Sequence, residues 1–457
     1  MKANGMLIVV SIFCLLATVA SPFAWADDDL LPAVSKFILD QDKDVRAVGL
    51  EQVRDGLKGS AATRRIVALL PQLSPDGQAS LIIALGDRGD AAALPEVQQS
   101  TQSNVPAIRA AAIRALGALG GKNEAAMLVP LLGNPAIEQD AAAAILCLHG
   151  PGVHEALLAA ADKIPAVRVK VFPLLVTRYA LDAVPGLLAA AQDSDKRTRS
   201  AALDALGQLG GPELVVDLAR LALRAPNEAD QKKVELALAS LSERTGKVDT
   251  CALPLLAFME TQGPAEKVKL FSALGRIGGK AASKVVLAAL AGSDPTLRDA
   301  GFQALCNWPD GTVSAKLVEI ATRGDDESQR ASALEALIRV APLPNSKSRP
   351  ESNRSDKERL MMLKKAMEVS TTKQQKTAIL RRAGAIYTLD TLHFVLPYLD
   401  QPEFNQVTAE TIVAIAHHKE VRHPHQAEFD AVLGRVIQIS KNPRVIDEAK
   451  RYREDRT

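Results

Sequence analysis

Polar and apolar residues alternate along most of this chain with a step of three and four. In the stretch DKRTRSAALDALGQLGG, Asp195 to Gly211, the positions Arg199, Ala202, Leu203 and Leu206 fall on one side of a helical wheel. The same phrase returns as VPAIRAAAIRALGALGG from Val105, GPAEKVKLFSALGRIGG from Gly263, DPTLRDAGFQALCNWPD from Asp294 and DESQRASALEALIRVAP from Asp326. Aligned on the small residue after the last leucine, the copies anchor at Gly86, Gly117, Cys147, Val176, Gly207, Leu241, Gly275, Cys306 and Ile338. The series resumes at Gly384 and Ala414, and Arg54 fits the frame upstream. A sustained period near thirty residues marks a stacked array, in which each unit buries its apolar face only against its neighbours.

Each unit reads as a helix pair. Asp195, Asp294 and Asp326 stand where an aspartate caps a helix start. The pairs Gly120–Gly121, Gly210–Gly211 and Gly278–Gly279 close the phrase helix, and a further apolar helix follows, as in PELVVDLARLAL from Pro212. The pattern predicts an all-α, right-handed α-solenoid of about twelve helix pairs, plus a terminal helix around Asn442 to Arg453. The Asp-x start, the Val-Arg or Leu-Arg step and the A-L-G-x-L-G-G ending resemble HEAT repeats, in the short bacterial form similar to phycobilisome lyase-type repeats. The resemblance runs from about Leu30 to Arg453. It implies a curved groove that serves as a binding surface, and it implies no single activity.

Two segments break the frame. Residues 1–26 combine Lys2, an apolar run from Met6 to Ala20 and an A-x-A ending at Ala26, the pattern of a cleaved secretory signal. The run is shorter than the ~20 residues a bilayer span needs, so no stable membrane span is expected after cleavage. The expected location is exported, periplasmic or extracellular. Residues 342–356, PLPNSKSRPESNRSD, carry three prolines and four serines and read as a flexible insert. The domain reading is therefore a signal at 1–26, an array at 27–341, the insert at 342–356 and C-terminal repeats at 357–457.

Composition narrows the partners. Aromatic residues make up 4% of the chain, charged residues 24%, and the net charge is +2, a balance that does not suit nucleic acid. One basic side chain recurs per unit: Arg46, Arg109, Arg168, Arg199, Lys267, Arg298, Arg330 and Lys376. Such a ladder either braces each unit on its own acids and carbonyls or faces an acidic protein partner, with Arg109, Arg168, Arg199, Lys267, Arg298 and Arg330 as the contact set. Bracing is favoured, because each basic residue sits one turn inside its helix.

His417, His418, His423 and His425 crowd into HHKEVRHPH beside Glu420. They are the candidate metal ligands, and the bland reading is a solvated connection. Cys147, Cys251 and Cys306 form no disulfide framework, and Cys147 and Cys306 are expected as small buried residues at the anchor. Trp308 is a packing residue or a sugar platform. The stretch around it resembles the helical-repeat region of secreted bacterial proteins that also carry a sugar-directed domain, so a polysaccharide remains a second kind of partner.

Catalytic signatures are missing: there is no G-x-S-x-G, P-loop, H-E-x-x-H or C-x-x-C. HEAT-repeat hydroxylases of deoxyhypusine use several His-Glu pairs on successive units, whereas this chain has one, His154–Glu155. No cofactor is expected. The function expected from the residues is a non-catalytic scaffold or adaptor for a protein partner. The alternative is a metal-dependent or carbohydrate-linked activity at residues 417–425.

Overall fold

The computed structural model describes residues 27–246, 248–347 and 349–454. The signal segment read at 1–26 lies outside the described residues. Two compact units divide the chain, one ending at Gly186 and the other beginning at Leu187. The first contains α1 (Asp27–Ile38), α2 (Lys43–Glu51), α3 (Ser60–Val67), α4 (Pro75–Arg88) and α5 (Leu94–Ser100). It continues through α6 (Pro106–Leu119), α7 (Ala125–Leu131), α8 (Glu138–Cys147), α9 (Val153–Asp162) and α10 (Pro165–Thr177). Helix α11 (Val184–Ala190) runs across the division.

The second unit continues with α12 (Lys196–Leu209), α13 (Val215–Arg224), α14 (Glu228–Thr245), α15 (Val248–Glu260) and α16 (Pro264–Ile277). Next come α17 (Lys280–Ala291), α18 (Pro295–Cys306), α19 (Ser314–Arg323), α20 (Glu327–Val340), α21 (Asp356–Val369) and α22 (Lys373–Ala383). It ends with α23 (Leu389–Val395), α24 (Asn405–Ala416), the short α25 (Lys419–Arg422), α26 (Gln426–Ile439) and α27 (Pro443–Arg453). Leaving α25 aside, these helices form thirteen pairs among the described residues, with no strand. The terminal helix of the sequence reading is thus the second member of a thirteenth pair, α26 and α27. No helix is long and apolar enough to cross a membrane among the described residues.

Local chemistry explains the pairs. Asp195 accepts a hydrogen bond from Thr198 N, Asp294 from Thr296 N and Leu297 N, and Asp326 from Gln329 N, each satisfying an orphan donor of a second helix. Helix α12 then buries Ala202, Leu203, Ala205, Leu206, Gly207 and Leu209 and leaves Asp204 and Gln208 in solvent. Burial of each leucine contributes roughly 1.5–3 kcal/mol.

The glycine of the A-L-G phrase marks where one second helix touches the next, backbone to backbone. A Cβ placed on Gly86 would lie 2.9 Å from Ala115 Cα, one on Gly117 2.5 Å from Ala144 Cα, and one on Gly275 2.3 Å from Ala304 O. This contact sets the true frame at α8. Ala144 meets Gly117, so the residue at the anchor position is Leu146 rather than Cys147. Cys147 is accordingly exposed, contrary to the expectation that it is buried.

Residues 342–356 lie within the second unit as a closed loop held by side chains. Ser346 N donates to Asn353 Oδ1 at 2.9 Å and Arg354 N to Asn345 Oδ1 at 2.8 Å. Arg349 is only 3% exposed, and Arg359 of α21 donates to Pro342 O and, at 2.9 Å, to Ala385 O. Composition suggested a flexible insert, yet the contacts hold it against α14, α16 and the turn before α19.

Candidate functional site

The predicted basic ladder is engaged at helix ends. A helix leaves its last four carbonyls without partners, and a cation placed there also meets the negative end of the helix dipole. Arg46 donates to Asp40 O at 2.9 Å, Arg109 to Ser103 O at 3.1 Å, Arg199 to Asp193 O at 2.9 Å and Arg330 to Gly324 O at 2.8 Å. Each acceptor lies six residues back, in the turn that joins the first helix of the pair to the second. Arg168 reaches the carboxylate of Asp162 at 3.0 Å, and Lys267 that of Glu260 at 3.4 Å. Arg199 also binds Asp230 of the next pair at 2.7 Å, and this hydrogen bond is the leading cause that holds the Asp230 carboxyl below its ordinary pKa. Arg298 stands exposed, and its guanidinium makes no hydrogen bond or ion pair with the described residues.

Sequence reasoning missed a second series. Arg88 donates to Val53 O at 2.8 Å and to Leu57 O. Arg178 donates to Ile145 O and Leu146 O at 2.8 Å and to Leu148 O at 2.6 Å. Arg244 donates to Gly210 O, Arg339 to Cys306 O at 2.7 Å and Arg382 to Arg339 O at 2.6 Å. Here the arginine ends one second helix and caps the second helix of the preceding pair. Burial draws the pKa of Arg178 and Arg339 below the ordinary arginine value. Their signal in the sequence is a basic residue within three positions of the anchor, after it in all but Arg382.

The histidine-rich segment divides. His417 and His418 follow α24 and enter a cleft of about 530 Å³ between α24 and α27, lined also by Tyr387, Glu410, Arg444, Glu448 and Tyr452. His417 Nδ1 lies 2.9 Å from the Tyr452 hydroxyl, and the His418 ring stacks on Tyr387 with centroids 3.5 Å apart. Burial is the leading cause that lowers the His418 pKa, followed by the neighbouring His417, with Glu420 opposing. Burial likewise raises the Tyr452 phenol, helped by Glu448. Arg422 is fully buried, donates to Ala416 O six residues back and covers the Tyr452 ring at 5.2 Å, so it repeats the ladder geometry at a position the sequence frame did not include.

His423 and His425 instead form a 3₁₀ turn ahead of α26. Among the described residues no three His, Cys, Asp or Glu side chains converge to hold a metal. The expected ligand set of His417, His418, His423 and His425 is therefore not assembled, because the turn of α25 intervenes between its halves.

Trp308 is fully buried and donates Nε1 to Thr312 Oγ1 at 2.8 Å, which gives it a packing role and no platform for a sugar. Burial pushes the Cys306 thiol up to about 12 and raises that of Cys251 as well. His154 Nδ1 sits 2.6 Å from Asp182, an ion-pair geometry between successive pairs.

A profile of HEAT repeats matches residues 63–149. No curated protein matches the sequence. Among solved structures, the chain is similar to the karyopherin Kap121p bound to the extreme C-terminus of the protein phosphatase Cdc14p. The identity is 14% over 99% of this chain and 56% of that one, with a TM-score of 0.42. Kap121p bound to RanGTP aligns at 13% identity, covering 93% of this chain and 56% of that one, with a TM-score of 0.37. Human deoxyhypusine hydroxylase in complex with glycerol aligns at 22% identity, covering 62% of this chain and 96% of that one, with a TM-score of 0.24. The chain thus spans little more than half the length of the karyopherin chains it resembles. Residues 63–149 match HEAT repeats, and stacked helix pairs with glycine contacts between successive second helices recur in both units.

Proposed function

We propose that this chain is an exported, non-catalytic adaptor that binds a protein partner along the face of its second helices. One observation carries the reading. In the first unit the buried row Ala84, Ala115, Ala144 is immediately preceded by Ile83, Arg114 and Ala143. In the second unit the buried row Ala205, Ala237, Ala273, Ala304, Ala336 is immediately preceded by Asp204, Leu236, Ser272, Gln303 and Glu335. The buried row repeats one residue, whereas the row beside it is exposed, or half-exposed at Ile83 and Ser272, and repeats none. Packing asks for alanine at the first row and leaves the second free for recognition. Leu236, 45% exposed in the middle of α14, is the apolar member of the second unit's row. The signal pattern at 1–26 supports export, and the lack of a catalytic motif in the sequence supports a binding role.

The test uses the tagged chain without residues 1–26 as bait in its native envelope fraction. A partner recovered in proportion to the bait, and lost with Leu236→Glu or Asp204→Arg while the melting temperature holds, supports the reading. Recovery that survives both substitutions overturns the choice of face, and recovery of nothing by a folded bait overturns the adaptor. Export is checked separately: deletion of residues 1–26 leaves the chain in the cytoplasm, and export without them sinks that part.

A further inference from the structure

Residues 343–355 form an Ω-loop whose neck is closed by the two asparagine bonds described above, so the loop is a body of its own. Two side chains leave it for the helix array: Arg354 donates to Gly311 O, and Arg349 enters the interior. Arg349 Nε donates to Glu243 Oε2 at 2.7 Å, and its Nη1 donates to Ile277 O at 3.1 Å and Asp310 Oδ2 at 3.3 Å. These acceptors come from α14, α16 and the turn before α19, far from the loop in sequence. Two carboxylates and a carbonyl taken by two separate nitrogens suit the forked donors of a guanidinium and not the single point charge of an ammonium. Asp310 is held independently of the loop by Thr312, whose N and Oγ1 donate to Oδ1 at 2.8 Å and 2.5 Å. The socket is thus built by the helix array, and the loop only fills it.

Open space flanks the filled socket on both sides. Glu243, Asp310 and Arg349 border a cleft of about 480 Å³. Across the loop, Pro350 and Glu351 border a second cleft of about 560 Å³ with Asp249, Lys280 and Thr312. The geometry points to a binding site for an arginine side chain on an extended segment of a partner protein, occupied in cis by Arg349 in this structure. This deepens the adaptor reading and rests on it. A tethered occupant acts at an effective concentration of the order of millimolar. A partner therefore displaces it by adding contacts in the two clefts.

The experiment uses the full chain carrying Arg349→Ala, which empties the socket. It is titrated to about 1 mM with the peptide Ser-Lys-Ser-Arg-Pro-Glu-Ser, identical to residues 346–352, and with the same peptide bearing citrulline for arginine. The arginine peptide is expected to bind roughly ten-fold or more tightly than the citrulline peptide. The wild-type chain binds it more weakly than the variant, and adding Asp310→Asn to the variant removes the preference. A folded Arg349→Ala chain that binds both peptides alike, or neither, overturns the proposal. Should that variant not fold, tryptic cleavage after Lys347 in the wild-type chain decides: cleavage much faster than global unfolding shows a releasable loop, and cleavage only at the unfolding rate overturns it. A wild-type chain that captures its partner while the emptied socket binds no peptide sinks this proposal and leaves the adaptor standing.

Discussion

Replacing Gly275 by alanine sets two opposed energies against each other. In an exposed helix interior the change stabilises by about 1 kcal/mol, because glycine forfeits more backbone entropy than alanine. Here the new Cβ would stand 2.3 Å from Ala304 O and 2.6 Å from Ala304 Cα. Both atoms are backbone, so no rotamer change relieves the overlap and α16 must move from α18 by about 1 Å. Overpacking of a close-packed contact costs about 1–3 kcal/mol, and the upper end applies where the obstacle is a helix backbone. Subtracting the propensity gain leaves about 2 kcal/mol of net destabilisation. Gly434, within α26, is the control: its nearest neighbour would be Arg453 Nη1 at 3.7 Å, ordinary contact. Gly434→Ala is therefore expected to stabilise by about 0.5–1 kcal/mol. Urea titrations followed by circular dichroism would compare the two variants with wild type, fitted only where the transitions coincide between probes, since long arrays can lose two-state behaviour. The reasoning fails if Gly275→Ala matches or exceeds wild type, because the sign of the difference then ignores the helix contact.

Arg178→Ala removes three bonds to the carbonyls of Ile145, Leu146 and Leu148. A loss of about 2 kcal/mol is expected, with water replacing some of the bonds, and Arg178→Lys restores only part of it; full rescue by lysine in the same denaturation assay would contradict the fork geometry. The His418 pKa lies below its ordinary value of 6.5 in the fold, so the folded chain binds fewer protons than the unfolded chain near that pH. The contribution of this group is therefore intact above 6.5 and diminishes as pH falls through the window below it. His418→Gln flattens the melting temperature between pH 7 and pH 5 relative to wild type, and an unchanged slope refutes the assignment. Added zinc leaves the melting temperature of the chain unchanged; a zinc-dependent rise that is lost in His423→Ala and His425→Ala would restore the metal reading.

The parts of the fold that depend on neighbours within a few residues were legible in the sequence. Asp195, Asp294 and Asp326 cap the helices they precede because an N-cap is a bond across two or three residues. The glycine pairs were read as helix stops, and the first glycine of each pair is the C-cap of its helix, by more than one conformation. Gly278 turns into the left-handed region at φ 73°, whereas Gly120 and Gly210 keep negative φ. At Gly210 crowding is the constraint, since a Cβ would meet Leu214 Cδ1 at 2.4 Å and Leu206 O at 2.8 Å. The second arginine series and the Arg349 socket were not legible. Their acceptors are backbone carbonyls or carboxylates thirty to more than a hundred residues away, and carbonyls carry no letter in a sequence. At the histidine segment, adjacency in sequence suggested one cluster, and a single turn of helix sends its two halves to different places.

The arginines that end one second helix and cap the one before it give the array a direction in time. Leu57 O waits for Arg88, Leu148 O for Arg178, Gly210 O for Arg244 and Cys306 O for Arg339. A helix end is thus completed only after the next pair has been synthesised, a lag of about 2–6 s at ordinary translation speeds of ~5–20 residues per second. At each of these joints the growing chain carries an unfinished helix end for that interval, and a truncation just before the capping arginine would make the transient end permanent.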